Sequence, residues 1–211
     1  MTASTERRSP LHAHSALLAQ ASGDPSRFAM GERAFVAQLN LRGDPSDAGF
    51  ADAVRGVLGC ALPVAANTWA GTPDKGALWL GPDEWLVVAP DAERTTLEAS
   101  LRAALAGRHH SVVDVSANRT VLELSGADAR AVLAKGCTLP LHAAAVTPPQ
   151  CAQTVLAKSQ VILQACETTP VFRLYVRNSF AHYVAQWLAD AAAESAASKA
   201  LDSDRIAARL A

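Results

Sequence analysis

The densest set of polar side chains in this sequence is Asp114, Ser116, Asn118 and Arg119, set between two apolar runs. Polar groups in such surroundings must find hydrogen-bond partners. Three uses fit this composition. Asp114 and Arg119 can hold together the two parts of the chain that meet there, the group can contact a partner subunit, or it can meet a ligand carboxylate or a pterin. The first use needs nothing beyond the chain itself. Trp79 and Trp85 flank a second feature, Gly81-Pro82-Asp83-Glu84. Indoles beside an exposed turn serve as core or interface anchors more readily than as cofactor stackers, because Trp is enriched at protein interfaces. Trp85, Asp83, Asp114 and Arg119 are therefore the candidate partner-interface residues. His109 and His110 are adjacent, so their rings diverge in a strand. A loop or helix C-cap role suits them better than metal or acid–base chemistry.

A nucleophile needs a base within reach, and the sequence contains no motif that guarantees one. Gly-x-Ser-x-Gly and H-E-x-x-H are absent, as are the P-loop and the G-x-G-x-x-G fingerprint. The last two absences weigh against a nucleotide or flavin held by this chain alone. Cys60, Cys137, Cys151 and Cys166 include no C-x-x-C pair. Four small buried thiols in a reducing compartment are the expectation. Zinc held by Cys137, His142 and Cys151 would need closer ligand pairing than this spacing gives. No catalytic, cofactor-binding or metal-ligating residue is assigned.

The 211 residues are 50% hydrophobic and 18% charged, which suffices for a core without disulfides or metal. With 19 basic and 20 acidic residues the formal net charge is -1, poor material for the basic surface that nucleic acid requires. No apolar run reaches the roughly 20 residues of a membrane helix. The N-terminus lacks the compact apolar segment of a secretory signal behind its charges. The expectation is a cytoplasmic protein that binds neither nucleic acid nor membrane.

The elements that must position these residues follow from periodicity. Ala34 to Arg42 alternates with period two and predicts a half-buried strand. Asp44-Pro45-Ser46 turns the chain, with Ser46 as a cap. Phe50, Val54, Val57 and Leu58 then share one helix face, stopped at Gly59. Ala77–Leu80 and Trp85–Ala89 predict a hairpin. Leu97, Leu101 and Leu105 mark a helix ending at Gly107, and Ser111–Val115 is a short strand. Strand, helix, hairpin, helix, strand is the split βαβ, ferredoxin-like order.

The second part repeats it. Arg119–Leu124 predicts a strand, and Ser125-Gly126-Ala127-Asp128 has capping-box spacing for a helix through Lys135. Residues 138–150 hold three prolines and predict a loop; strands follow at Gln153–Ala157, Gln160–Ala165 and Val171–Arg177. In the last, Phe172, Leu174 and Val176 point inward, and Arg173, Tyr175 and Arg177 point out. A helix from Ser179 closes the unit. The expectation is an α+β fold of two interlocked ferredoxin-like halves, about 33–116 and 117–195. Residues 1–32 are read as a flexible N-terminal arm and 196–211 as a C-terminal tail.

Leu80-Gly81-Pro82-Asp83-Glu84-Trp85-Leu86 resembles the gamma subunits of heterotetrameric sarcosine oxidases. So do Ser111–Thr120, Leu124–Arg130, Val132–Cys137, Cys151–Ala157 and Phe172–Leu188. The resemblance spans roughly residues 33–195. It implies a complex of alpha, beta, gamma and delta chains that demethylates sarcosine to glycine, passes the one-carbon unit to tetrahydrofolate and produces hydrogen peroxide. It also implies that FAD, FMN, NAD, zinc and tetrahydrofolate are carried by the other subunits and none by this chain. The family's fold is similar to the folate-binding domain of glycine-cleavage aminomethyltransferases, but no residue here matches a catalytic aspartate of those enzymes. Two alternatives stand beside the scaffold-subunit expectation. One is the equivalent subunit of a related N-methyl amino acid dehydrogenase complex, and the other is a free-standing folate-binding, aminomethyltransferase-like protein.

Overall fold

The computed structural model describes residues 7–22, 24–167 and 170–193. Residues 1–6 and the expected tail at 196–211 lie outside the described residues. Chain order begins with helix α1 (Ser15–Ala21) and strand β1 (Ala29–Arg33). All of α1, and β1 up to Glu32, fall inside the segment expected to be an arm. That expectation is corrected here: Leu11, Leu18, Phe28 and Met30 are buried in a core with residues from the other end of the chain. The whole of β1 pairs antiparallel with a strand in the second half, Ala29 opposite Ser125 and Arg33 opposite Val121.

The first half then follows as β2 (Ala37–Gly43), α2 (Ala48–Leu58), β3 (Trp69–Gly71), β4 (Gly76–Gly81), β5 (Glu84–Ala89), α3 (Arg94–Ala104) and β6 (His110–Asp114). The second half runs β7 (Arg119–Ser125), α4 (Ala129–Ala134), β8 (Cys151–Leu156), β9 (Ser159–Glu167), β10 (Val171–Arg177) and α5 (residues 181–193). Their sheets are ordered β3-β4-β5-β2-β6 and β8-β9-β10-β7-β1. The two orders superimpose element for element. Each is a four-stranded ferredoxin-like sheet with one extra edge strand, and β1 fills in the second half the place that β6 fills in the first. The interlock is therefore a strand supplied from the N-terminal side.

Caps decide where several helices begin. Asp47, not Ser46, caps α2, its carboxylate accepting from the Gly49 N–H at 2.8 Å, while Ser46 bonds back to Asp44. Gly59 ends α2 at φ 76°, a left-handed cap as the sequence predicts. The capping box at Ser125–Asp128 does not form. Gly126 sits at φ 101°, and a Cβ there would lie 2.5 Å from the Arg27 carbonyl oxygen. Arg27 takes the Asp128 carboxylate at 2.8 Å, and the Asp128 N–H donates to the Arg27 carbonyl at 2.7 Å. The chain entering β1 has captured the groups that would otherwise cap α4.

Four layers result: α2 and α3, their sheet, the second sheet, then α1, α4 and α5. One core lies between α2/α3 and the outer face of the first sheet. A second lies between the other helices and the outer face of the second sheet. A third fills the space between the sheets, with Trp69, Leu78, Leu86, Val88, Val121, Cys151, Ile162 and Tyr175. This third layer corrects the expectation for β10. Tyr175 is 1% exposed and Arg173 7% exposed because the face expected to meet water is covered by the other sheet.

Polar bonds cross the same layer. The Trp69 indole N–H donates to the Ala165 carbonyl at 2.8 Å. Arg173 donates across it to Asp74 at 2.7 Å and to the Pro73 carbonyl, and within its own sheet to Glu123, directly opposite on β7, at 2.8 Å.

Candidate functional site

The chain passes from one half to the other between β6 and β7, and two of the candidates, Asp114 and Arg119, flank this crossing. Asp114 ends β6. Its carboxylate accepts from the Ser116 N–H at 2.9 Å and the Ser116 hydroxyl at 2.5 Å, and from Arg94 at 3.3 Å. These bonds hold the Asp114 carboxyl below its ordinary pKa against the opposing effect of burial, the largest single influence on it. Asp114 and Arg119 form no ion pair with each other. The tie between the halves is instead Gln38, whose backbone N–H donates to the Ser116 hydroxyl at 2.9 Å and whose amide donates to the Arg119 carbonyl at 2.8 Å. Asn178 adds its N–H to the Asn118 carbonyl at 3.1 Å and its amide to the Ala117 carbonyl at 2.7 Å.

The other candidates separate. Asp83 lies at the β4–β5 turn, exposed and paired with Arg42 at 2.9 Å. Trp85 is fully buried in the first half, its indole N–H donating to the Pro63 carbonyl at 2.8 Å and its ring 6.1 Å from that of Phe50. It is a core anchor and offers no surface to a partner. The turn is exposed, but β5 alternates strictly, and Trp85 falls on the face that meets α2.

Sequence reasoning missed Arg177. It ends β10 directly opposite Arg119 on β7. The two line an open cleft of about 230 Å³ with Gln153, Thr154 and Gln160. Burial, and next the neighbouring Arg177 guanidinium, lower the Arg119 pKa, with Glu84 opposing. The available signal was the alternation of β10, which puts Arg177 on the Arg173 face; the pairing register was not legible.

The four cysteines are free. Cys151 and Cys166 are buried, Cys60 and Cys137 partly so. Among the described residues no group of three or more His, Cys, Asp or Glu side chains could hold a metal ion. Burial pushes the Cys151 and Cys166 thiols up to about 12. A thiol held protonated is a poor nucleophile. Both are expected to resist a thiol reagent at pH 8 in the folded chain and to react once it is unfolded. Linkage has a definite sign here, since the folded pKa values exceed the unfolded one. The stability these thiols contribute is complete below about pH 8.5 and is lost as pH rises toward 12. Fast labelling of either thiol at pH 8 without unfolding would contradict this.

The sarcosine oxidase, gamma subunit family model matches residues 42–194. The gamma subunit of sarcosine oxidase from Arthrobacter sp. is 39% identical over 191 residues, covering 90% of this chain and 92% of that protein. The one from Corynebacterium sp. (strain U-96) is 37% identical over 195 residues, covering 92% and 93%. Among solved structures, a chain of the heterotetrameric sarcosine oxidase from Corynebacterium sp. U-96, in complex with pyrrole 2-carboxylate, superimposes with a TM-score of 0.82 at 35% identity. That match covers 89% of this chain and 95% of that one. Aminomethyltransferase T of the glycine cleavage system from Bartonella henselae shares the fold, with a TM-score of 0.57 at 14% identity over 82% of this chain and 48% of its own. Sequence and fold agree over nearly the whole length of both partners, and the chain belongs to the sarcosine oxidase gamma subunit family.

Proposed function

We propose that this chain is the gamma subunit of a heterotetrameric sarcosine oxidase and that it serves the complex by position rather than by chemistry. The observation that carries the assignment is the end-to-end match to gamma subunits, together with a related chain inside a heterotetrameric sarcosine oxidase. In this reading the partners are the alpha, beta and delta chains. The complex, working in the cytoplasm, demethylates sarcosine to glycine and passes the one-carbon unit to tetrahydrofolate. FAD, FMN, NAD, zinc and the folate are held by the other subunits.

The positional role draws support from how the chain treats its own reactive groups. Buried thiols are kept protonated, Arg173 is tied to two carboxylates, and the space between the sheets is filled by the chain's own side chains. Asp83, Asp114 and Arg119 remain the proposed interface positions, and Val113, beside Asp114, is 47% exposed. Among the described residues no helix is long and apolar enough to cross a membrane.

A complex purified through a tag on this chain should consume sarcosine with release of hydrogen peroxide. Omitting this subunit should lower the yield of assembled oxidase more than it changes the KM for sarcosine. Turnover of N-methylglutamate with no turnover of sarcosine would transfer the chain to a related N-methyl amino acid complex. Folate binding by the chain alone, without the other subunits, would support the independent folate protein instead.

A further inference from the structure

Arg119 and Arg177 stand opposite each other on neighbouring antiparallel strands, so their side chains project to the same face of the sheet. Among the described residues neither guanidinium takes part in an ion pair or a side-chain hydrogen bond. Arg173, two residues back on the same face, shows what this chain does when it supplies its own counter-charges, with Glu123 at 2.8 Å and Asp74 at 2.7 Å. Glu84 acts on Arg119 through space, but its carboxylate accepts from the Asn40 amide at 2.7 Å and does not close on Arg119.

Like charges directly opposed across two strands destabilise a sheet. A second cost is that Arg119 is partly buried. An anion seated between the two guanidinium groups offsets both, since planar guanidinium donors match a carboxylate in geometry and charge.

The surroundings identify the kind of anion. Val155, which lines the cleft, is 38% exposed, and Phe180, three residues beyond Arg177, is 41% exposed. Arginine beside an exposed apolar side chain, with an exposed aromatic a few residues along the chain, is the composition of a protein interface. We propose that the Arg119–Arg177 cleft receives an aspartate or glutamate side chain from a neighbouring subunit of the oxidase, held by both guanidinium groups, with Val155 in apolar contact beside it. This rests on the gamma-subunit reading and gives that subunit a specific docking point.

The test uses the four-subunit complex with a tag on another subunit, comparing the native chain with R119Q/R177Q and R119K/R177K. Retention of the gamma chain is followed by native mass spectrometry across a salt series. The native chain should be released progressively as salt rises. R119Q/R177Q should bind about thirtyfold more weakly at low salt and show a flatter salt dependence, while R119K/R177K, which keeps the charge, should lie between. Retention of R119Q/R177Q at native affinity and native salt dependence would overturn the proposal. So would equal loss in both variants, which would mean that structure and not charge had been disturbed. A normally assembling R119Q/R177Q complex that has lost binding of added glutarate would assign the cleft to a small anion and overturn it as well. Failure of the native chain to join the other subunits at all would overturn the gamma-subunit reading together with this site.

Discussion

Replacing Trp85 by alanine is expected to lower the stability of the chain by about 3–5 kcal/mol, the usual cost of truncating a fully buried aromatic. Three contributions add. The cavity opens among Phe50, Val87 and the other side chains packed under α2, the apolar area is lost, and the Pro63 carbonyl loses its donor. For a chain of this length the melting temperature should fall by about 10 °C, with or without partner subunits present. If Trp85 were an interface anchor, the substitution would leave the isolated chain intact and weaken only the complex. A melting curve of the isolated W85A chain that overlays the native one would contradict the core role.

The second large effect concerns β1. A chain beginning at Phe35 lacks Leu11, Leu18, Phe28 and Met30, four side chains of the second core. At roughly 1.5–3 kcal/mol for each buried large apolar side chain, the loss is about 6–12 kcal/mol. That is comparable with the whole stability of an ordinary domain. It also strips the partner from one edge of β7, leaving unpaired backbone groups that invite aggregation. The truncated chain should be insoluble or lack a cooperative melt, and amide exchange should lose protection in β7 and β10 before β2 and β5. A soluble truncated chain with the native melting temperature would show that the N-terminal segment is only an arm.

These two cases mark where the sequence could be read and where it could not. Elements with their own period were legible. β10 was placed from Phe172, Leu174 and Val176, and α2 from Phe50, Val54 and Leu58 with a stop at Gly59. β1 has no period of its own. Ala29–Arg33 is five residues long with a single buried side chain, Met30, and it is a strand because β7 offers it an edge and Gly126 gives it room.

The candidate site shows the same limit. Asp114, Ser116 and Arg119 were found as a polar cluster, but Gln38 and Arg177 reach it through strand pairing and Arg94 through the packing of α3, across as many as 81 residues of chain. Alternation correctly separated the two faces of β10. It could not say that the second face would meet another sheet, because one antiparallel sheet reads alike whether its polar-looking face meets water or a second sheet with matching charges. Arg173 was read as exposed for that reason, yet Asp74 and Glu123 make its burial tolerable.

The membership of this chain in a four-subunit oxidase is tested most directly by native mass spectrometry of the tagged chain, recovered at its natural expression level. The expected result is one assembly with a single copy of each of four different subunits, carrying flavin. A lone species of 22.0 kDa, above all one that retains a reduced folate, would contradict it.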